Sequence, residues 1–255
     1  MLAPVFLCHG SPYTIFEDSD FTRFLNRFGQ EHRPEAIVIF SAHFEREVTT
    51  ISATDDVHEM VYDYYGFPPE FYQVQYPARG STKVAAMVEE RLRRNNIPVR
   101  REYRGLDHGV FTIMRHIYPE ADIPIVPVSI NPFLPPRQQL AIGEALRGME
   151  EEGILVIGSG FVIHNLFAFE PDKYAPPREW AVQFRDWIRE KVLARDIDAL
   201  CQYATLAPYA SFAVPRPEHF VPLFIALGSG SPERPVQVLY DTIEYGTGST
   251  LSFKF

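Results

Sequence analysis

Four of the eight histidines in this 255-residue chain stand where an apolar run ends or a helix begins, each beside glycine, proline or a small polar residue: His9, His43, His164 and His219. Imidazole binds zinc, iron or copper through one neutral nitrogen while the other donates to a supporting acceptor, so histidines on rigid elements make a natural metal shell. No local spacing such as His-x-x-x-His joins any of the four. They must therefore be gathered by the fold. His9 follows the apolar run Pro4 to Leu7, His43 follows Ala36 to Phe40, and His164 comes a few residues after Ile154 to Ile157. In open α/β sheets ligands bind at the carboxyl ends of strands, which gives distant histidines a common destination. Taken singly, each is more often an ordinary buried or surface residue than a ligand; it is their shared position that points to a site.

His108 stands in Gly105-Leu106-Asp107-His108-Gly109, ahead of the apolar run Val110 to Ile117. That context suits a proton-transfer histidine or an anion contact at a helix start, with Asp107 orienting a neighbour and Gly109 allowing close backbone approach. It also suits an Asp N-cap followed by an incidental histidine. Between Val61 and Tyr76 the chain carries Tyr62, Tyr64, Tyr65, Phe67, Phe71, Tyr72 and Tyr76. Such a segment either walls a site for a flat aromatic ligand or simply covers the domain. His32, His58 and His116 have no strand end or glycine beside them and read as structural. Cys8 precedes His9 in a strand, so its side chain points to the opposite face and belongs to the core.

The elements that must position these residues follow from periodicity. Short apolar runs alternate with amphipathic stretches, which predicts an α/β fold with a mainly parallel or mixed central sheet, helices on both faces and a metal site at the strand carboxyl ends. Strands are expected at Val5 to Cys8, Ala36 to Ser41, Ile123 to Ile130 and Ile154 to Gly158, with further strands at Val236 to Tyr240 and Thr250 to Phe255. Pro124 and Pro127 mark the third run as an edge or bulged strand, because proline cannot donate to the ladder. Helices are expected over 21–28 with Asp20 as N-cap, after Ser81, over 137–149, over 178–194, and from near His219 to a stop at Gly228. There is no internal repeat or low-complexity linker, and residues 1–255 read as one domain.

Composition removes several function classes. Hydrophobic residues make up 46% and charged residues 22%, the balance of a soluble globular protein. A net charge of -9 leaves no basic footprint for nucleic acid. No run approaches a membrane span, the amino terminus lacks the parts of a secretory signal, and two distant cysteines suggest neither a disulfide framework nor a Cys-x-x-Cys knuckle. The expected compartment is the cytoplasm.

Six motifs in order resemble the DODA-type extradiol aromatic ring-opening dioxygenases, relatives of the class III (LigB-type) ring-cleaving enzymes. They are His9-Gly10-Ser11-Pro12, Ser41-Ala42-His43, Tyr64-Tyr65-Gly66-Phe67-Pro68, Leu106-Asp107-His108-Gly109, Gly158-Ser159-Gly160 leading to His164-Asn165, and Pro217-Glu218-His219-Phe220. The resemblance implies one divalent metal held by His9, His43 and His219, with His164 either a fourth ligand or a base facing the substrate and His108 the other catalytic histidine. It implies Tyr65 and Phe67 in the substrate wall. It further implies that a catechol such as DOPA loses a proton to His164 or His108 and is opened by dioxygen to a muconate semialdehyde. Relatives often carry zinc, whereas ring cleavage calls for Fe(II), and zinc cannot change valence. The third ligand would be neutral, a departure from the two-His-one-carboxylate pattern. A zinc-dependent hydrolase and a non-enzymatic ligand- or peptide-binding protein are the other readings of the same residues.

Overall fold

The computed structural model describes residues 2–255. Eight strands form the main sheet: β1 Val5–Cys8, β2 Ala36–Glu45, β3 Thr49–Ser52, β4 Val99–Glu102, β5 Ile125–Ile130, β6 Ile154–Gly160, β7 Gln237–Tyr240 and β8 Ser252–Lys254. Six longer helices pack around it: α1 Asp20–Glu31, α2 Thr82–Arg94, α3 His108–Ile117, α4 Pro136–Glu144, α5 Glu179–Leu193 and α6 Val221–Ser229. The strand order is β4-β3-β5-β2-β6-β1-β8-β7. Its centre, β5-β2-β6-β1, is parallel throughout, while β8 and β7 close one side antiparallel.

The central strands are apolar on both sides because both sides are covered, as parallel sheets require. Val5, Leu7, Ile37, Ile39, Leu155 and Ile157 join the core under α1 and α3. Their neighbours Val38, Phe40, Ile154 and Val156 point the other way, to α2, α4 and α6. Helix α1 buries Phe21, Phe24, Leu25 and Phe28 as its spacing predicts. Its N-cap is Ser19, whose hydroxyl accepts the Thr22 N–H; Asp20 instead sits in the first turn, where its charge faces the positive end of the helix dipole.

Two expectations fail for identifiable reasons. The proline-bearing strand β5 is interior, between β3 and β2. Ile125 N–H points away from β2, to Arg79 O, so the Pro127 nitrogen two residues on also turns away from the β2 ladder. On that side the pairing with β3 is a single antiparallel bridge, Ile51 to Val128, and the missing donor costs little there. Gly228 does not stop α6, which runs on to Ser229. A Cβ at Gly228 would lie 2.2 Å from Leu140 O, so this glycine lets α6 press against α4.

Strand β2 is longer than its apolar run suggests, and the extension carries function. Its pairing with β6 ends at Ser41↔Ser159, and its register with β5 shifts between Phe40 and Glu45, where it pairs again with Ile130, so His43 lies beyond β6 in an irregular stretch of the strand. The carboxyl end of β6 is equally specialised: a Cβ on Gly160 would meet His219 O at 2.1 Å, and Phe161 N–H donates to that same carbonyl at 2.8 Å. Gly160→Ala should therefore push away the segment that carries His219 and destabilise the fold by about 1–3 kcal/mol, read as a lower urea midpoint.

Candidate metal centre

Each site histidine is delivered by a different element. His9 directly follows β1, His43 lies near the end of β2, His108 opens α3, His164 comes four residues after β6, and His219 stands two residues before α6. Their rings meet at one end of the parallel strands. His9 Nε2 lies 3.3 Å from His43 Nε2, which lies 3.1 Å from His219 Nε2. His108 flanks the His43 side, with ring centroids 3.9 Å apart, and His164 stacks on His219 at 3.4 Å.

What the three central rings do with their other nitrogen fixes their chemistry. His219 Nδ1 is 2.8 Å from Glu218 Oε1, and His43 Nδ1 is 3.0 Å from Asp63 Oδ2. A carboxylate only accepts, so both Nδ1 atoms carry the proton. His9 Nδ1 is 3.0 Å from Ser159 Oγ, whose own hydroxyl is spent donating to Gly109 O, which leaves Ser159 as acceptor. All three Nε2 atoms then turn bare lone pairs toward one another. While all three stay neutral, no hydrogen bond among them satisfies that arrangement; a cation does. The spacing agrees, since Zn–N bonds of about 2.0–2.1 Å at tetrahedral angles hold nitrogens roughly 3.3–3.4 Å apart. His164 lies outside this trio: its Nδ1 is 3.6 Å from Glu218 Oε1, and its ring faces the cavity.

Burial reinforces the neutral form. His9 and His219 are held well below the usual histidine range, by burial first and by neighbouring imidazoles second. Burial also opposes charge on His43, yet the Asp63 and Asp107 carboxylates outweigh it and lift its pKa. Asp63 is the hinge of the arrangement. Its Oδ1 takes the His108 ring N–H at 2.8 Å while Oδ2 takes that of His43, and these bonds overcome the effect of burial to hold the carboxyl far below the usual carboxylate range. His108, its Nδ1–H thus anchored, keeps Nε2 as a base; burial and the neighbouring His43 lower its pKa.

A buried frame supports the irregular stretch of β2. Asp107 is fully buried and accepts Ser41 Oγ at 2.6 Å and Arg104 at 2.5 Å, while Arg104 also donates to His43 O at 3.0 Å. Asp107 stands at the N-cap position of α3 without capping it; its carboxylate serves this frame instead. Gly109 permits the approach, because a Cβ there would lie 2.6 Å from Ser41 Oγ and 3.0 Å from His43 Cδ2.

The histidines floor a cavity of about 410 Å³ whose wall includes Tyr64, Tyr65, Phe67, Phe161, Leu166 and Phe169. Of the two expected wall residues, Phe67 packs on Tyr13 and Phe71, whereas Tyr65 stands at the mouth with 92% of its surface exposed. The ring set edge-on to His108 is that of Tyr64, its hydroxyl donating to Phe71 O at 2.6 Å. His32, His58 and His116 bond backbone carbonyls away from the site, and Cys8 is buried with its thiol pushed up by desolvation. Three partners had no role assigned from sequence: Asp63, Glu218 and Ser159. A carboxylate inside the run Tyr62-Asp63-Tyr64 and another beside His219 were the available signals.

A sheet whose carboxyl edge gathers five imidazoles beneath an aromatic-walled cavity defines a histidine-centred site with donors for a cation. The family described as "Catalytic LigB subunit of aromatic ring-opening dioxygenase" matches residues 6–254, and the chain belongs to it. Proteins named 4,5-DOPA dioxygenase extradiol from Beta vulgaris and Escherichia coli K12 are each 32% identical, covering 98% and 97% of this chain and 95% and 92% of their own. A protein named dioxygenase tasH from Hapsidospora irregularis is 36% identical over 81% of this chain and 68% of its own. The crystal structure of an uncharacterized Escherichia coli K12 protein superposes with a TM-score of 0.85 at 29% identity, covering all of both chains. No helix among the described residues is long and apolar enough to cross a membrane.

Nitrogen NMR of the metal-free protein at neutral pH should show His9 and His219 as neutral Nδ1–H tautomers. Ser159→Ala should disturb that state for His9 alone; an Nε2–H tautomer in the parent protein would refute the lone-pair arrangement.

Proposed function

We propose that residues 1–255 act as one catalytic unit, a metal-dependent extradiol dioxygenase that opens the ring of a catechol to a muconate semialdehyde, with His9, His43 and His219 holding one divalent metal. The observation that carries this reading is the trio of inward-facing Nε2 atoms flanked by two further histidines in an aromatic-walled cavity. Three neutral nitrogens accept either zinc, as isolated, or Fe(II), which alone supplies the redox chemistry that joins dioxygen to the electron-rich ring. Family membership and the names of the relatives support the same chemistry.

The chain's own residues handle the protons and the ring. His108 presents Nε2 to the cavity while Asp63 fixes its Nδ1–H, so it takes a proton from a catechol hydroxyl and the carboxylate steadies the imidazolium that forms. In this reading His164 is the second proton carrier; its stacking on His219 and its place outside the inward-facing trio support that role over a fourth ligand. Tyr64, Phe67 and Phe161 face the ring and shield it from water, while Tyr65 stands exposed at the mouth. Cys8 and Cys201 are free thiols, which supports the cytoplasmic placement.

Anaerobically Fe(II)-loaded protein, mixed with aerated buffer and a panel of catechols, should consume oxygen and yield a yellow ring-opened product. Hydrolysis without oxygen uptake would favour a zinc hydrolase instead. His9→Ala and His43→Ala should each lose the metal, checked by metal analysis after dialysis. His108→Gln should keep it yet turn over about a hundredfold more slowly; wild-type turnover would remove His108 from the proton path.

A further inference from the structure

The wall of the cavity, more than its floor, restricts what the site accepts. At about 410 Å³ it is more than twice the roughly 150 Å³ void that holds a benzene ring. A catechol bound at the histidines leaves most of that space to its substituent. The space is enclosed by Tyr64, Tyr65 and Phe67 from one segment and by Phe161, Leu166 and Phe169 from another. Leu166 is 63% exposed at the mouth, and its neighbour Phe167 is fully exposed.

The charges around this wall are acidic. Among the described residues lining the cavity there is no lysine or arginine; the side chain with a fixed charge is Asp63. Behind Gly10, Ser11, Phe161 and Phe169 lies a smaller space bordered by Glu17 and Glu244. Both of these carboxylates draw on the one ammonium of Lys173. The arginines on the histidine-bearing segments are committed elsewhere, Arg104 to Asp107 and Arg216 to Glu45 and Glu218. A carboxylate on the substituent, held away from the histidine floor, would be desolvated against apolar rings with no lysine or arginine to meet it, and would face acidic neighbours.

We infer that the substrate is a catechol with a bulky apolar substituent and no carboxylate, its ring over the histidines and its substituent between Tyr65 and Phe67 on one side and Leu166 and Phe169 on the other. This rests on the catechol reading above and narrows it. The wall is the discriminating element: each methylene it covers tightens binding about fourfold, and the lack of a basic side chain disfavours an acid.

Binding separates this inference from the dioxygenase reading, because zinc-loaded protein holds a catechol without opening it. Calorimetric titration compares dopamine with DOPA, which differ by the carboxylate, and phenylcatechol with catechol, which differ by an apolar group. Dopamine should bind at least about tenfold more tightly than DOPA, and phenylcatechol about tenfold more tightly than catechol. Leu166→Lys, at an exposed position that tolerates the change, should narrow the gap between dopamine and DOPA by about threefold. DOPA binding as tightly as dopamine, or catechol as tightly as phenylcatechol, overturns the inference, as does an unchanged gap in Leu166→Lys. Failure of all four to bind removes the catechol reading with it. The expected binding order without oxygen uptake by Fe(II)-loaded protein removes only the dioxygenase activity.

Discussion

Three imidazole lone pairs held face to face are an arrangement a protein does not tolerate without a reason. Neutral nitrogens at 3.1–3.3 Å with no proton between them repel, and each ring would relieve the conflict by flipping if its other nitrogen were free. None is free. Glu218, Asp63 and Ser159 hold the Nδ1 protons, and Ser159 can do so only because Gly109 O takes its own. While the rings are neutral the conflict is built into the metal-free protein, and a cation resolves it, whether a metal or a proton on His43, whose pKa the neighbouring carboxylates lift.

Holding rings against that repulsion needs stiff supports, which the parallel core provides. Strands β1, β2 and β6 run side by side with both faces buried, so His9 and His43 leave them from fixed positions and Ser159 is registered directly against Ser41. The buried Arg104–Asp107 pair then ties the irregular stretch of β2 to the start of α3. Removing either partner would strand a charge, at a cost of about 3–5 kcal/mol. His219 arrives differently, on a segment pressed against Gly160 so closely that no side chain fits between.

The site divides into a floor and a wall with different demands. The floor is polar: trio, flanking histidines and carboxylates form one network in which Asp63 serves both a central ring and the His108 ring beside it. The wall is aromatic and comes from loops, Tyr64 to Phe67 and Phe161 to Phe169, the kind of segment on which specificity varies while a rigid scaffold holds the chemistry. Membership of the LigB family speaks to the floor; the acidic, cation-free wall speaks to the ligand.

Much of this was legible in the residues alone. Apolar runs placed the central strands, helical spacing found α1, α2 and α5, and the histidines at strand ends and helix starts were the ones that met, because backbone pattern is a local property written directly into the chain. Prolines misled at β5 and a glycine misled at α6, since the cost of a missing N–H or the use of a missing Cβ depends on which neighbour lies opposite. The same limit hid Asp63, Glu218 and Ser159, and it hid Tyr64 behind the more conspicuous Tyr65. Sequence determined which side chains could bind a metal. Only the tertiary structure decided which nitrogen of each ring faces inward, because that choice is made by acceptors, two of them more than a hundred positions or some twenty positions distant in the chain, whose approach no local pattern records.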